Sequence, residues 1–234
     1  MAILQKPKST HLVASARLCL DNGDRLLEQR YDLEFREPSA TRFYMAMIAQ
    51  EEFAKAFMLL LVRDDVIPFS SPVLRAMNDH TCKQLVGMIM DYVIMHWNQT
   101  DEFTAMIAAD SALGEDRFPE DIGSALELLR YEKIGRWESR AWVWGEDPSY
   151  DKSAIAIAEG KRDRLKQDAL YVRIGKDGRV VSTPDSCSLE DTKKEEDRAG
   201  RYYALVRGAL EGGGQTYRYD RIVKALKFLF EHKL

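Results

Sequence analysis

Residues 39–63 read SATRFYMAMIAQEEFAKAFMLLLVR, and the rest of the chain is organised around them. Pro38 precedes the stretch and Ser39 is a good N-cap residue, so a helix is expected to start there with its first free amide satisfied. At about 100° per residue, the side chains of Phe43, Tyr44, Met47, Ile48, Phe53, Ala54, Phe57, Met58, Leu61 and Val62 cover almost the whole circumference. A helix that is apolar all round is one surrounded by other helices. Into this cylinder the sequence sets Glu51, Glu52 and Lys55, and Glu51 and Lys55 have the i,i+4 spacing that lets two side chains meet. Such a pair ordinarily lies on a solvated face and is worth a few tenths of a kcal/mol. The apolar flanks leave little room for that face, so the charges are expected to be partly buried or to line a cleft. A charge in such a place is costly unless paired, and function concentrates there.

Working outward, Leu12, Ala16, Cys19, Leu20, Leu27 and Tyr31 recur at helical spacing behind Ser9 and Thr10, which are expected to cap a first helix. Gly23 inside it marks a kink or a close helix crossing. The segment from Glu34 to Pro38 closes this helix, and the short connection predicts an antiparallel pair with the central one. Pro68 and Pro72 bound a loop, and a third helix is expected from about His80 to Trp97, with Leu85, Met88, Ile89, Tyr92, Val93 and His96 on its apolar side. Further helices are expected near 100–114 and 121–144, the latter with Trp137, Trp142 and Trp144 as core. After Pro148 a helix leads into the basic run Lys161, Arg162, Arg164 and Lys166. The period then changes to two over Leu170, Val172 and Ile174, and Asp177-Gly178 supplies a hairpin turn before Val180 and Val181. Two helices close the chain, the first opening on a charged cluster, Glu190 to Arg198, expected to be solvated. The fold class is therefore mainly α, a helical bundle with additional helices and one small β-hairpin. A single domain is expected over 1–234, with a core bundle at about 9–145, a helix plus hairpin at about 152–184 and C-terminal helices at about 188–232.

The chain has 234 residues, 45% hydrophobic and 31% charged, and a net charge of -4, which offers nucleic acid no global attraction. Any RNA contact has to come from a local patch. Cys19, Cys82 and Cys187 are widely spaced, odd in number and without C-x-x-C spacing, so a reduced, cytoplasmic protein without structural zinc is expected. The N-terminus MAILQKPKST lacks the apolar run of a signal peptide, and charges interrupt every stretch approaching the roughly 18 residues of a membrane span.

Among four histidines, His80 has the neighbours that suggest chemistry: Arg75 five residues before it and Lys83 three after. An imidazole can move a proton near neutral pH, and a guanidinium beside it can hold a phosphate or the charge developing on phosphorus. The alternative is that His80 caps the third helix or bonds a backbone carbonyl. There is no H-E-x-x-H, no paired E-x-x-H, no G-x-S-x-G, no P-loop and no dinucleotide-binding glycine motif. No metal and no cofactor are expected.

The segments AQEEFAK at 49–55, the H-x-x-K of His80 to Lys83 and ALYVRIGKDGRVVSTP at 169–184, in this order, resemble the AbiV family of abortive infection proteins, anti-phage factors assigned to the HEPN superfamily of helical domains. The resemblance extends to about residue 185. It implies a role in phage defence through RNA or translation. Many HEPN proteins are metal-independent ribonucleases with E-x3-K and R-x4-6-H motifs and act as homodimers. Carried over, Glu51 and Lys55 match the first motif and hold the site's geometry, His80 is the general acid or base, and Arg75 stabilises phosphorane-like charge. Arg75 is expected in or just after the proline-bounded loop, and Ala76 stands where such nucleases usually have a polar residue. Lys83, Lys161, Arg162 and Arg164 are the expected substrate-binding residues. The alternative is a non-catalytic helical protein that binds a phage product or a translation component.

Overall fold

In a computed structural model the chain is mainly α-helical, with a small antiparallel hairpin. The structure describes residues 4–95, 105, 125, 126, 129, 151–211, 219, 222–224, 226 and 227. The axis is helix α2 (Ala40–Arg63), on which Phe53, Phe57, Met58, Leu60 and Leu61 are fully buried. Burial on all sides requires neighbours on all sides. They are α1 (Ser9–Gln29), α4 (His80–Met95) and α7 (Leu189–Glu211), each packed on α2. Each large apolar side chain so buried stabilises the fold by about 1.5–3 kcal/mol.

Helices α1 and α2 run antiparallel. Lys6, just before α1, donates to the Arg63 carbonyl at the far end of α2, while Gly23 meets Phe53 at mid-length. A Cβ on Gly23 would fall 2.3 Å from the Phe53 ring, and α1 continues unbroken past it, so this glycine serves a close crossing and not a kink. Two caps read from the sequence differ. Ser9 and Thr10 lie inside α1, which has no side-chain cap, and Ser39 occupies the N-cap position of α2 but shares its hydroxyl hydrogen bond with Thr192 of α7 at 2.9 Å. A buried hydroxyl at a helix interface takes the partner that the neighbouring helix offers. Tyr31 is exposed, because α1 ends at Gln29 and a 3₁₀ turn over Arg30–Leu33 carries it outward.

The proline-bounded segment contains a short helix, α3 (Ser71–Ala76), capped by the Ser70 hydroxyl, which accepts from the Val73 amide; Pro72 fits its first turn. Arg75 thus sits on a helix and not in a loop. Asp79 caps α4 by accepting from the Cys82 amide at 2.9 Å, which leaves the His80 side chain for other partners. Helix α4 buries Cys82, Leu85, Val86, Ile89, Met90 and Tyr92; Met88 and Val93 are half-buried. The helices expected near 100–114 and 121–144, with their tryptophans, and His96 and Trp97 lie outside the described residues, although Ala125, Leu126 and Leu129 join the core.

Helix α5 (Lys152–Ala158) is capped by Asp151, and Gly160, at φ +74°, turns the chain into α6 (Lys161–Asp168), so the basic run forms a helix of its own. Strands β1 (Arg173–Ile174) and β2 (Val180–Ser182) pair antiparallel, with Gly178 at φ +76° in the turn. The strands are shorter than the alternation suggests: Leu170 and Val172 precede them. Asp168 gathers the hairpin, accepting from Arg173 at 2.8 Å and from the Ser182 hydroxyl at 2.6 Å. Tyr219, Ile222 and Leu226 add a last apolar face to the core. No helix among the described residues is long and apolar enough to cross a membrane.

A candidate active site around Glu51

Glu51 lies at the middle of α2, 3% exposed, where α4 and α6 converge. A carboxylate offers about four lone-pair positions, and here four side chains take them. Oε2 is 2.6 Å from His80 Nδ1 and 2.9 Å from Lys83 Nζ. Oε1 is 2.8 Å from Lys166 Nζ and 3.3 Å from Gln84 Nε2. Burial pushes the Glu51 carboxyl up, but Lys83 and Lys166 more than offset it and hold it down at about 2, against an ordinary value of 4.5. Glu51 is therefore ionised at neutral pH and can only accept.

Against an ionised carboxylate at 2.6 Å, Nδ1 is placed as a donor, so in the neutral ring Nε2 carries the lone pair; the Lys166 ammonium, 3.1 Å from the same Nδ1, then makes no hydrogen bond to the ring and is held by the carboxylates. The imidazole is 52% exposed while its carboxylate partner is buried, so the free edge of the ring is the one turned to solvent. A buried carboxylate that fixes the tautomer and orientation of a half-exposed imidazole is the arrangement of a general base held for use.

Lys166 completes the cluster from α6. Its ammonium is 2.8 Å from Glu51 Oε1, 2.7 Å from Asp163 Oδ1 and 3.1 Å from His80 Nδ1. Burial pulls its pKa down, yet Asp163 and Glu51 raise it overall, so it stays charged. Glu51, His80 and Asp163 also lie close enough together to offer three ligand atoms to a metal ion. The Lys166 ammonium already stands among those same three groups, so a cation would have to displace it.

The structure brings together only part of what the sequence singled out. Glu51 and His80 meet, but Lys55 does not join Glu51: its ammonium pairs with Glu52 at 2.6 Å. Residues 52 and 55 lie toward α1, beside Cys19, whose thiol is raised by burial and by Glu52, whereas Glu51 faces α4 and α6. Arg75 is exposed on α3, and Lys83 is buried with its charge on Glu51, inside the cluster and not on an open binding face. Lys161 and Arg164 are exposed; Arg162 is half-buried and donates to Gln50 Oε1 at 2.8 Å and to Glu195. In the sequence Lys166 is one member of the basic run, and Gln84 and Asp163 are not among the expected site residues. In KRDRLKQD only Lys166 is buried, and a helix of such even polarity carries no pattern that selects one lysine. The Asp163 to Lys166 spacing of i,i+3 was the one available signal.

The cluster of charges at the start of α7 is solvated in part: Glu190, Asp191, Lys193, Lys194 and Asp197 are exposed, as expected, and three of its charges are drawn inward. Glu196 is buried on Arg42, Glu195 ties Arg162 to Gln50, and Arg198 meets Asp91 of α4 at 3.2 Å. Of these groups Gln50, Asp91, Arg162 and Arg198 line a cleft of about 490 Å³ between α4, α5 and α6, whose lining also includes Glu51 and Lys83. Compared with family models, with curated proteins and with solved structures, the chain matches none.

Proposed function

We propose that this chain is a metal-independent endoribonuclease of the HEPN type, related to the AbiV abortive infection proteins and acting as a homodimer to cut RNA during phage infection. The observation that carries this reading is the 2.6 Å contact from buried Glu51 to Nδ1 of the half-exposed His80. In this reading Nε2 of His80 takes the proton from a ribose 2′-hydroxyl as that oxygen attacks the adjacent phosphorus. The protonated ring, steadied by the ionised Glu51, returns a proton to the departing 5′ oxygen. Arg75, exposed on α3 five residues before His80, supplies a guanidinium to the charge that develops on phosphorus. Glu51, Lys83, Lys166 and Asp163 position the ring and do not touch the substrate.

The experiment is cleavage of total cellular RNA in EDTA by wild type, His80→Ala and Arg75→Ala, each checked for native helicity. Wild type should cut and His80→Ala should be slower by about 10²–10⁴-fold, the usual contribution of a positioned acid or base. Equal rates in all three would end this reading. A second reading, a non-catalytic protein that binds a phage product or a translation component, has its own support in the exposed apolar side chains of the hairpin region, Tyr171, Val172, Ile174, Val180 and Val181. It expects His80→Ala to keep phage defence and changes on the hairpin to lose it.

A further inference from the structure

The cleft that shares Glu51 and Lys83 with the candidate active site has a lining of two characters. Met88 and Met95 from α4 and Ile157 from α5 are apolar, and Asp91, Lys161 and Arg162 are charged. Its volume, about 490 Å³, falls within the range of pockets that hold one small ligand. We propose that this cleft binds a guanine nucleotide unit, with the base against the methionines, its N1–H and exocyclic amine on the Asp91 carboxylate, and its phosphate at Lys161.

Three features lead there. Asp91 meets Arg198 Nε through Oδ2 at 3.2 Å, also has the Tyr202 hydroxyl as a hydrogen-bond partner, and is 27% exposed, so of about four acceptor positions on a carboxylate some remain at the cleft wall. Guanine is the one standard RNA base with two adjacent N–H donors on its pairing edge. Adenine and cytosine set an amine beside a lone-pair nitrogen, and uracil flanks its N–H with carbonyls; a carboxylate repels those acceptors. Methionine thioethers pack favourably against aromatic rings and adapt to their outline. At the mouth, Lys161 is 63% exposed and its pair with the also exposed Glu159 is weak, so its charge can pass to a phosphate.

The proposal rests on the RNA-cleaving reading in one respect, that the bound guanine belongs to a strand whose neighbouring phosphate reaches His80. Its own test does not need cleavage. The full chain, in EDTA, is titrated calorimetrically with the 5′-monophosphates of guanosine, adenosine, cytidine and uridine. The guanosine nucleotide should bind at least about tenfold tighter than the others, the discrimination expected of one charged hydrogen bond. Asp91→Asn, which puts a donor opposite the base's donors, should remove that preference. Ala156→Trp fills the cleft from α5 without altering a charged group, and it should abolish binding while thermal unfolding stays near wild type. His80→Ala should bind as wild type does. Equal binding of all four nucleotides by the wild type, or unchanged guanosine nucleotide binding by both Asp91→Asn and Ala156→Trp, overturns the proposal. Selective binding without RNA cleavage keeps the cleft and removes the nuclease reading; cleavage without selective binding does the reverse.

Discussion

Two buried ion-pair sites lie along α2, and they balance their charges differently. Near its start, Arg42 donates through Nε and a terminal nitrogen to the two oxygens of Glu196, both at 2.9 Å, and reaches the Glu34 carbonyl at 3.3 Å. One cation meets one anion in a fork, and both side chains are about nine-tenths buried. Further along, Glu51 serves two ammonium groups, an amide and an imidazole, and the imidazole opens to solvent. The first arrangement holds α7 and the turn after α1 to α2 and contains no imidazole to present outward. The second holds a ring still and leaves one nitrogen of that ring for chemistry. Burial and pairing alone thus do not mark a functional site; what separates the two is a titratable group presented outward by a buried frame.

The comparison breaks most visibly in paired variants. Glu51→Gln and Glu196→Gln each strand buried cations, and each should cost about 3–5 kcal/mol in denaturant unfolding. Under conditions where both remain folded, Glu196→Gln should cleave RNA as wild type does, while Glu51→Gln, with His80 no longer held in one tautomer, should lose about 10²-fold or more. Equal loss of activity in the two would erase the distinction.

The next effect is in acid. Because the Glu51 carboxyl sits at about 2 when folded against 4.5 ordinarily, its contribution to stability is complete above pH 4.5 and is lost as pH falls toward 2. At about 1.4 kcal/mol per pKa unit that is about 3 kcal/mol. Urea midpoints measured from pH 7 down to pH 2.5 should fall more steeply for wild type than for Glu51→Gln; parallel curves would mean that the carboxyl is not held down by its lysines.

The smallest effect sharpens the boundary of the site. Lys55 and Glu52 form a partly exposed pair toward α1, outside the Glu51 cluster, so Lys55→Ala should change stability by less than about 1 kcal/mol and leave cleavage intact. A large loss of cleavage in Lys55→Ala would restore the E-x3-K pair as the working unit and displace the one centred on Glu51 and His80.

The central helix was legible because its information is local. Phe43, Met47, Phe53, Phe57 and Leu61 spread round the helical wheel, and that arrangement has one physical solution, a helix packed on all sides. The hairpin announced itself through Asp177-Gly178, and the first two helices through a short connection. Glu51 and His80 were each visible as candidates for the same reason, one by an unusual charge in an apolar cylinder and one by the basic residues around it. Their contact was not visible, since 29 residues separate them. Nor were the partners of Glu195, Glu196 and Arg198 on α7: composition suggested solvent, which holds for Glu190, Asp191, Lys193 and Lys194, while Arg42, Arg162 and Asp91 draw those three inward.

What the sequence by itself determined is therefore the mainly helical fold, the buried central helix and the residue types that could carry chemistry, because periodicity and composition act over one or two turns. Which carboxylate meets which cation was decided only in three dimensions. Glu51, Glu52 and Lys55 are within about one turn of each other, and Lys55 lies between the two carboxylates on the helical wheel, so helix geometry left it a choice of partner. The approach of α4 and α6 gave Glu51 to His80, Lys83 and Lys166, and left Lys55 to Glu52.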